Sequence, residues 1–160
     1  MARRYLIETF GCQMNFHDSE RMAGLLEQAG YEPTDDARDA DVVVVNTCSV
    51  REHAEDKLYT RLGELRVLEQ EGTLQPERII VVAGCVAQQE GETILKRSSG
   101  IADVVIGTQA VRRLPMLVEQ ARQQPAIPLL DLNPQDDVSF PLGMVRRGDP
   151  VKAYITIIEG

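Results

Sequence analysis

At 160 residues, with 43% hydrophobic and 26% charged residues, the chain has the composition of one soluble globular domain with room for a sizeable core. A net charge of −8 and the absence of tryptophan argue against a phosphate grip or a base-stacking platform in this stretch, so any nucleic-acid contact would fall mainly to other parts of a protein. No apolar run approaches the roughly 20 residues that span a bilayer, and Met1–Glu8 has two arginines but no signal-peptide core, which predicts a cytoplasmic protein without membrane contact. Three cysteines are too few for a disulfide scaffold and odd in number, so metal or redox chemistry is the better reading of them.

In chain order, Tyr5–Thr9 reads as a first strand. The segment Asn15–Ala29 follows, with Met22, Leu25, Leu26 and Ala29 on one helical stripe. Asn15 is placed to cap its start, Asp18 to sit in the first turn, and Gly30 to stop it. After an acidic turn over 33–41, the unalternated run Val42–Val45 predicts a strand covered on both faces, as in a parallel sheet. Ser49-Val50-Arg51-Glu52 is a capping-box pattern, and Ala54, Leu58, Leu62, Leu65 and Leu68 continue as a helix that Gly72 and Pro76 end. Ile79–Ala83 is a third strand, about Glu90–Arg97 a short helix, and Val104–Ile106 a fourth strand. Leu114, Leu117, Val118 and Ala121 mark one face of a last helix. The alternation predicts an α/β fold of right-handed βαβ units: a parallel β-sheet flanked by helices in a Rossmann- or flavodoxin-like three-layer arrangement.

From Gln123 the prolines multiply, and 125–150 reads as an extended linker after a domain over 1–124. Residues 151–160 then begin a further strand, Ala153–Ile158, with no partner element after it. That pattern predicts the front piece of a longer protein, cut just inside its next domain.

The cysteines share one context. Cys12, Cys48 and Cys85 each follow a predicted strand and precede a predicted helix, 36 and 37 residues apart, about one βα step each. In a parallel sheet the strand C-terminal ends share one edge, where ligands bind, so three such cysteines can converge on one metal centre. Helix N-termini beside them favour thiolates, and Gly11 and Gly84 permit close backbone approach. The fourth strand ends in Gly107-Thr108, leaving three thiolate ligands. The plain alternative is three small buried hydrophobes. Zinc with three cysteines would need His17 or His53, both read as exposed helix residues, and a nucleotide-binding module would need a G-x-G-x-x-G where Phe10-Gly11-Cys12-Gln13 stands. A three-cysteine iron–sulfur cluster would leave one iron open.

The three stretches Thr9-Phe10-Gly11-Cys12-Gln13-Met14-Asn15, Asn46-Thr47-Cys48-Ser49-Val50-Arg51-Glu52 and Gly84-Cys85-Val86-Ala87-Gln88-Gln89-Glu90 resemble the cysteine motifs of the radical-SAM methylthiotransferases. The likeness covers about residues 3–120, and Tyr154–Gly160 is similar to the lead-in strand of that family's radical-SAM domain. The wording is nearest to members that methylthiolate C2 of N6-isopentenyladenosine beside the anticodon. Relatives acting on threonylcarbamoyl-adenosine tRNA or a ribosomal protein are the alternative. The resemblance implies a 4Fe-4S cluster on Cys12, Cys48 and Cys85 that presents the methylthio sulfur. It also implies a second 4Fe-4S cluster with S-adenosyl-L-methionine in a barrel, a sulfur donor, and tRNA held mainly by a further C-terminal domain. The fragment, a monomer by expectation, lacks those parts and should not turn over alone. Asn15 and Asn46 are candidates to hydrogen-bond the cluster, Arg51 to meet substrate or cluster charge. Arg112-Arg113 and Arg146-Arg147 read as solvated surface, with contact to tRNA as the lesser alternative.

Overall fold

A computed structural model describes residues 2–11, 13–48, 53–98, 100–125 and 127–132. Six strands, β1 (Arg4–Phe10), β2 (Glu32–Pro33), β3 (Val42–Thr47), β4 (Ile79–Gly84), β5 (Val104–Ile106) and β6 (Leu129–Asp131), make one sheet in the order β2-β1-β3-β4-β5-β6. Every pairing is parallel. Four helices, α1 (Gln13–Gln28), α2 (Ala54–Gln70), α3 (Cys85–Arg97) and α4 (Leu114–Gln123), cover it. The expected α/β three-layer class is borne out.

The valine run explains the layering. All six residues of β3 are buried, as are all six of β4, and successive side chains serve opposite faces. Val42, Val44, Ile79 and Val81 pack with Met22, Leu25 and Leu26 of α1 and Leu114, Leu117 and Val118 of α4. Val43, Val45, Ile80 and Val82 pack with Leu58, Leu62 and Leu65 of α2 and Val86 and Ile94 of α3. α1 also packs against α4 and the short turn before it, so more than one of its faces is buried.

Three features depart from the sequence expectation. β2 and β6 are additional: both are two- or three-residue edge strands, and Pro33 is tolerated because an edge strand needs no ladder donor on its outer side. β6 lies inside the stretch 125–150 expected to be linker, docked beside β5 with Gly107 N–H donating to the Asp131 carbonyl at 2.8 Å. Finally, α2 and α3 each carry the chain one strand along the sheet over one face, whereas α4 makes the same step from β5 to β6 over the other. That last connection therefore has the opposite hand, against the uniform right-handed succession expected from strand–helix alternation.

The first helix also begins earlier than its apolar stripe suggests, placing Asn15 inside it rather than at the cap. α3 starts at Cys85 itself and breaks at Glu90 (φ −126°, ψ 22°), so the expected helix 90–97 is only its second half. The expected capping box 49–52, the terminal strand 153–158 and Arg146-Arg147 lie outside the described residues.

Candidate metal centre

The sheet order β2-β1-β3-β4-β5 is the flavodoxin-like one, whose ligand crevice opens beyond the strand C-termini where the order reverses, here between β1 and β3. Two of the candidate cysteines are described at that edge. In register, Phe10 pairs with Thr47 and Thr47 with Gly84, forming one row across three strands. Cys48 follows Thr47, and Cys85 follows Gly84 as the first residue of α3. Cys12 lies outside the described residues; by chain order it stands two residues past Phe10 and directly before α1.

The row is unusually tight. A Cβ on Gly84 would run into the Thr47 carbonyl oxygen and come within 2.7 Å of Asn46 Oδ1 and 2.9 Å of Thr47 N. A Cβ on Gly11 would run into Asn15 Oδ1 and approach Cys48 Cβ to 2.6 Å. Both glycines before cysteines are therefore needed for space: the strand end leading into Cys48 approaches Gly84, and the Asn15 side chain together with Cys48 approaches Gly11. Gly84 also has φ +104° and ψ −167°, a backbone region almost confined to glycine. That turn swings the chain from β4 directly into α3. Cys48 is buried and Cys85 half-buried at a helix N-terminus, where free N–H groups and the helix dipole favour negative charge.

Beneath the row lies a buried polar network. Asn15 Nδ2 donates to the Thr47 carbonyl at 2.9 Å and to Asn46 Oδ1 at 3.2 Å. Asn46 Nδ2 donates to the Asn15 carbonyl at 2.8 Å and to Ser19 Oγ at 2.9 Å, and Ser19 Oγ meets Thr9 Oγ1 at 2.6 Å. An amide NH2 has two N–H groups, so both pairs are engaged inside the protein. These bonds tie β1, α1 and β3 together. Ser19 had no place in the sequence reading, and Thr9 entered it only as a strand and motif residue. The signal was available, because Asn15, Ser19, Met22 and Leu26 form one buried-side stripe whose first two members are polar.

The other candidates separate. His17 is buried at 8% exposure rather than exposed, because α1 is covered on a second side. His53 is exposed at the start of α2, with φ +85° and Nδ1 3.5 Å from Asp56. Arg113, read as solvated surface, instead holds the buried Asp131 with two bonds of 2.6 and 2.9 Å. Arg51 lies outside the described residues. A groove of about 550 Å3 flanks the same edge between β1 and α2, lined by Glu8, Phe10, His53, Lys57, Arg61 and others, with Arg61 Nε on Glu8 at 2.6 Å. Among the described residues no three His, Cys, Asp or Glu side chains form a group that could hold a metal ion, and no helix is long and apolar enough to cross a membrane.

This edge lies within the part of the chain that known proteins share. Residues 4–107 match Uncharacterized protein family UPF0004. The chain belongs to this family. Among its relatives is the tRNA-2-methylthio-N(6)-dimethylallyladenosine synthase of Aquifex aeolicus (strain VF5), 40% identical over 161 aligned positions that cover 100% of this chain and 36% of that protein. The synthase of the same name from Acidovorax sp. (strain JS42) is 44% identical over 100% of this chain and 34% of its own length. That of Parafrankia sp. (strain EAN1pec) is 52% identical over 78% of this chain and 24% of its own length. The chain thus spans about a third of the length of the curated relatives that match it throughout. The likeness seen in the three cysteine motifs is borne out, and those motifs fall inside the UPF0004 match.

Proposed function

We propose that this UPF0004 chain is the cluster-bearing domain of a tRNA methylthiotransferase, in which Cys12, Cys48 and Cys85 hold one 4Fe-4S cluster with a fourth iron open to a sulfur ligand. The observation that carries the reading is the register row Phe10–Thr47–Gly84, which sets Cys48 and Cys85 one residue beyond neighbouring strand ends. The donor set fits: two cysteines at one sheet edge, one opening a helix, with glycines before two of the motif cysteines leaving no room for a side chain. The cluster, when bound, would supply the site from which sulfur is delivered to carbon. The chain's own part is to hold three thiolates at fixed positions and to keep the Cys48 side out of water.

By analogy with its relatives the substrate is an N6-dimethylallyl adenosine of tRNA, methylthiolated at C2 with S-adenosyl-L-methionine as partner cofactor, a second cluster elsewhere in the protein and a sulfur donor. The −8 charge supports a tRNA grip placed mainly outside this chain.

Anaerobic reconstitution with ferrous iron and sulfide tests the core of this. The 160-residue chain should take up iron and sulfide in a ratio matching one 4Fe-4S cluster, with a brown absorbance band. Cys12→Ala, Cys48→Ala or Cys85→Ala should each abolish it. Stoichiometric zinc in place of iron, or undiminished uptake by the three variants, would overturn the reading.

A further inference from the structure

We infer that Asn15 is a positioning residue that fixes the direction in which the chain enters Cys48, and that Asn46 holds Asn15 in that role; the inference rests on the proposed use of Cys48 as a ligand. The peptide unit between Thr47 and Cys48 is gripped at both ends. Its N–H donates to the Phe10 carbonyl of β1 at 3.0 Å, and its C=O accepts from Asn15 Nδ2 of α1 at 2.9 Å. A peptide unit is planar, so fixing both ends fixes the plane from which the Cys48 Cα–Cβ bond departs. The same carbonyl faces Gly84 across the row, where no side chain could fit, and Asn46 Oδ1 stands beside it. Asn46 in turn orients the Asn15 amide by accepting from it and donating to the Asn15 carbonyl.

All of these contacts are between protein groups and need no metal. The edge is therefore organised before anything binds, and Cys48 does not have to be ordered at the cost of binding energy. Asn15 sits three residues after Cys12 and touches Gly11, so one side chain links the first cysteine motif to the second. The outer pair, Ser19 and Thr9, contributes to the network without touching the Thr47–Cys48 peptide. Ser19 thus separates a positioning role from a merely structural one.

The test compares wild type, Asn15→Ala and Ser19→Ala of the 160-residue chain, reduced and free of metal under anaerobic conditions. Iodoacetamide labelling is followed separately at Cys48 and Cys85 by mass spectrometry. Loss of one hydrogen bond at the peptide should raise the Cys48 labelling rate about tenfold in Asn15→Ala, while Cys85 changes little. Ser19→Ala should leave the ratio of the two rates as in wild type. The shape-conserving Asn15→Asp, which keeps an oxygen but loses the donors, should behave like Asn15→Ala and stands in for it if the alanine variant does not fold. After reconstitution, the reduced-cluster electron paramagnetic resonance spectrum should change in Asn15→Ala but not in Ser19→Ala. Equal acceleration at both cysteines, an equal effect of Ser19→Ala on the rate ratio, or an unaltered spectrum would overturn the positioning role. Failure of the wild type to take up iron would instead remove the cluster reading, and the labelling rates would still decide the role of Asn15.

Discussion

Gly84→Ala gives the sharpest test of how the cysteine edge is built. The new methyl group would meet the Thr47 carbonyl oxygen and lie within 2.9 Å of Thr47 N, both backbone atoms of a fully buried strand that cannot turn aside. The backbone must also leave or tolerate φ +104°, ψ −167°, which costs a non-glycine residue about 1–3 kcal/mol. Overpacking against a rigid neighbour adds about 1–3 kcal/mol more. Together the loss is about 2–6 kcal/mol, a large share of the roughly 5–15 kcal/mol that holds a domain folded. Urea unfolding reads it as a midpoint lowered by about 1–3 M at a slope of about 2 kcal/mol per molar. Gly63→Ala is the matched comparison: Gly63 lies exposed within α2, nothing stands within 4 Å of its added carbon, and the change should stabilise by about 0.5–1 kcal/mol. A Gly84→Ala midpoint within about 0.3 M of wild type, while Gly63→Ala shifts upward, would refute the close packing of β3 on β4 at the cysteine row.

Arg113→Ala removes both bonds to the buried Asp131 and should cost about 2 kcal/mol. For a chain of this size that is a fall of roughly 5 °C in Tm, and an unchanged melting curve would deny the pair any stabilising role. Gly91→Leu pushes into Leu130 and Leu132, since even a Cβ there would lie 2.6 Å from Leu130 Cδ1. At about 1–3 kcal/mol of overpacking, the amides of Leu129–Asp131 should exchange with solvent at least about fivefold faster while those of β3 keep their protection. Uniform acceleration would show that β6 is not separately anchored. Burial pushes the Asp103 carboxyl above its ordinary 3.8, against the opposing bond from Ile80 N–H at 2.8 Å and the charge of Arg78. A raised folded pKa means that the contribution of Asp103 to stability is full below pH 3.8 and is lost as pH rises through the folded value. Asp103→Asn, which keeps an acceptor for Ile80, should therefore gain stability relative to wild type on going from acid to neutral pH. A relative loss over that range in paired urea titrations would reverse the assigned cause.

Sequence periodicity captured those parts of the fold where one period dominates. The valine runs announced a two-sided parallel sheet, and Leu114, Leu117, Val118 and Ala121 announced the buried face of α4. Elements of two or three residues carry too few side chains to show a period, so β2 and β6 were illegible beside their prolines. α3 was read only from about Glu90 because it opens at Cys85 with no loop after β4, and within it the missing side chain of Gly91 makes room for Leu130 and Leu132. The buried His17 and the Arg113–Asp131 pair depend on elements distant in sequence that no local pattern reveals. At the candidate site the places of Cys48 and Cys85 just past neighbouring strand ends were visible from topology alone. The use of Asn15 and Asn46 was not, because an asparagine near a helix start looks the same whether it caps or reaches across to another strand.

The short sixth strand has a mechanical consequence. Residues 129–132 are tethered to the sheet through three residues paired with β5, the Asp131 carbonyl on Gly107, and the Arg113 clamp. Because all six strands run the same way, that tether leaves from the cysteine-bearing edge. A pull on the chain at Leu132 would load this small strand first, and its few bonds would yield well before the fully buried β3 and β4 felt the load. β6 is thus the part of the sheet that gives way first, and it shields from load the inner strand ends that lead into Cys48 and Cys85.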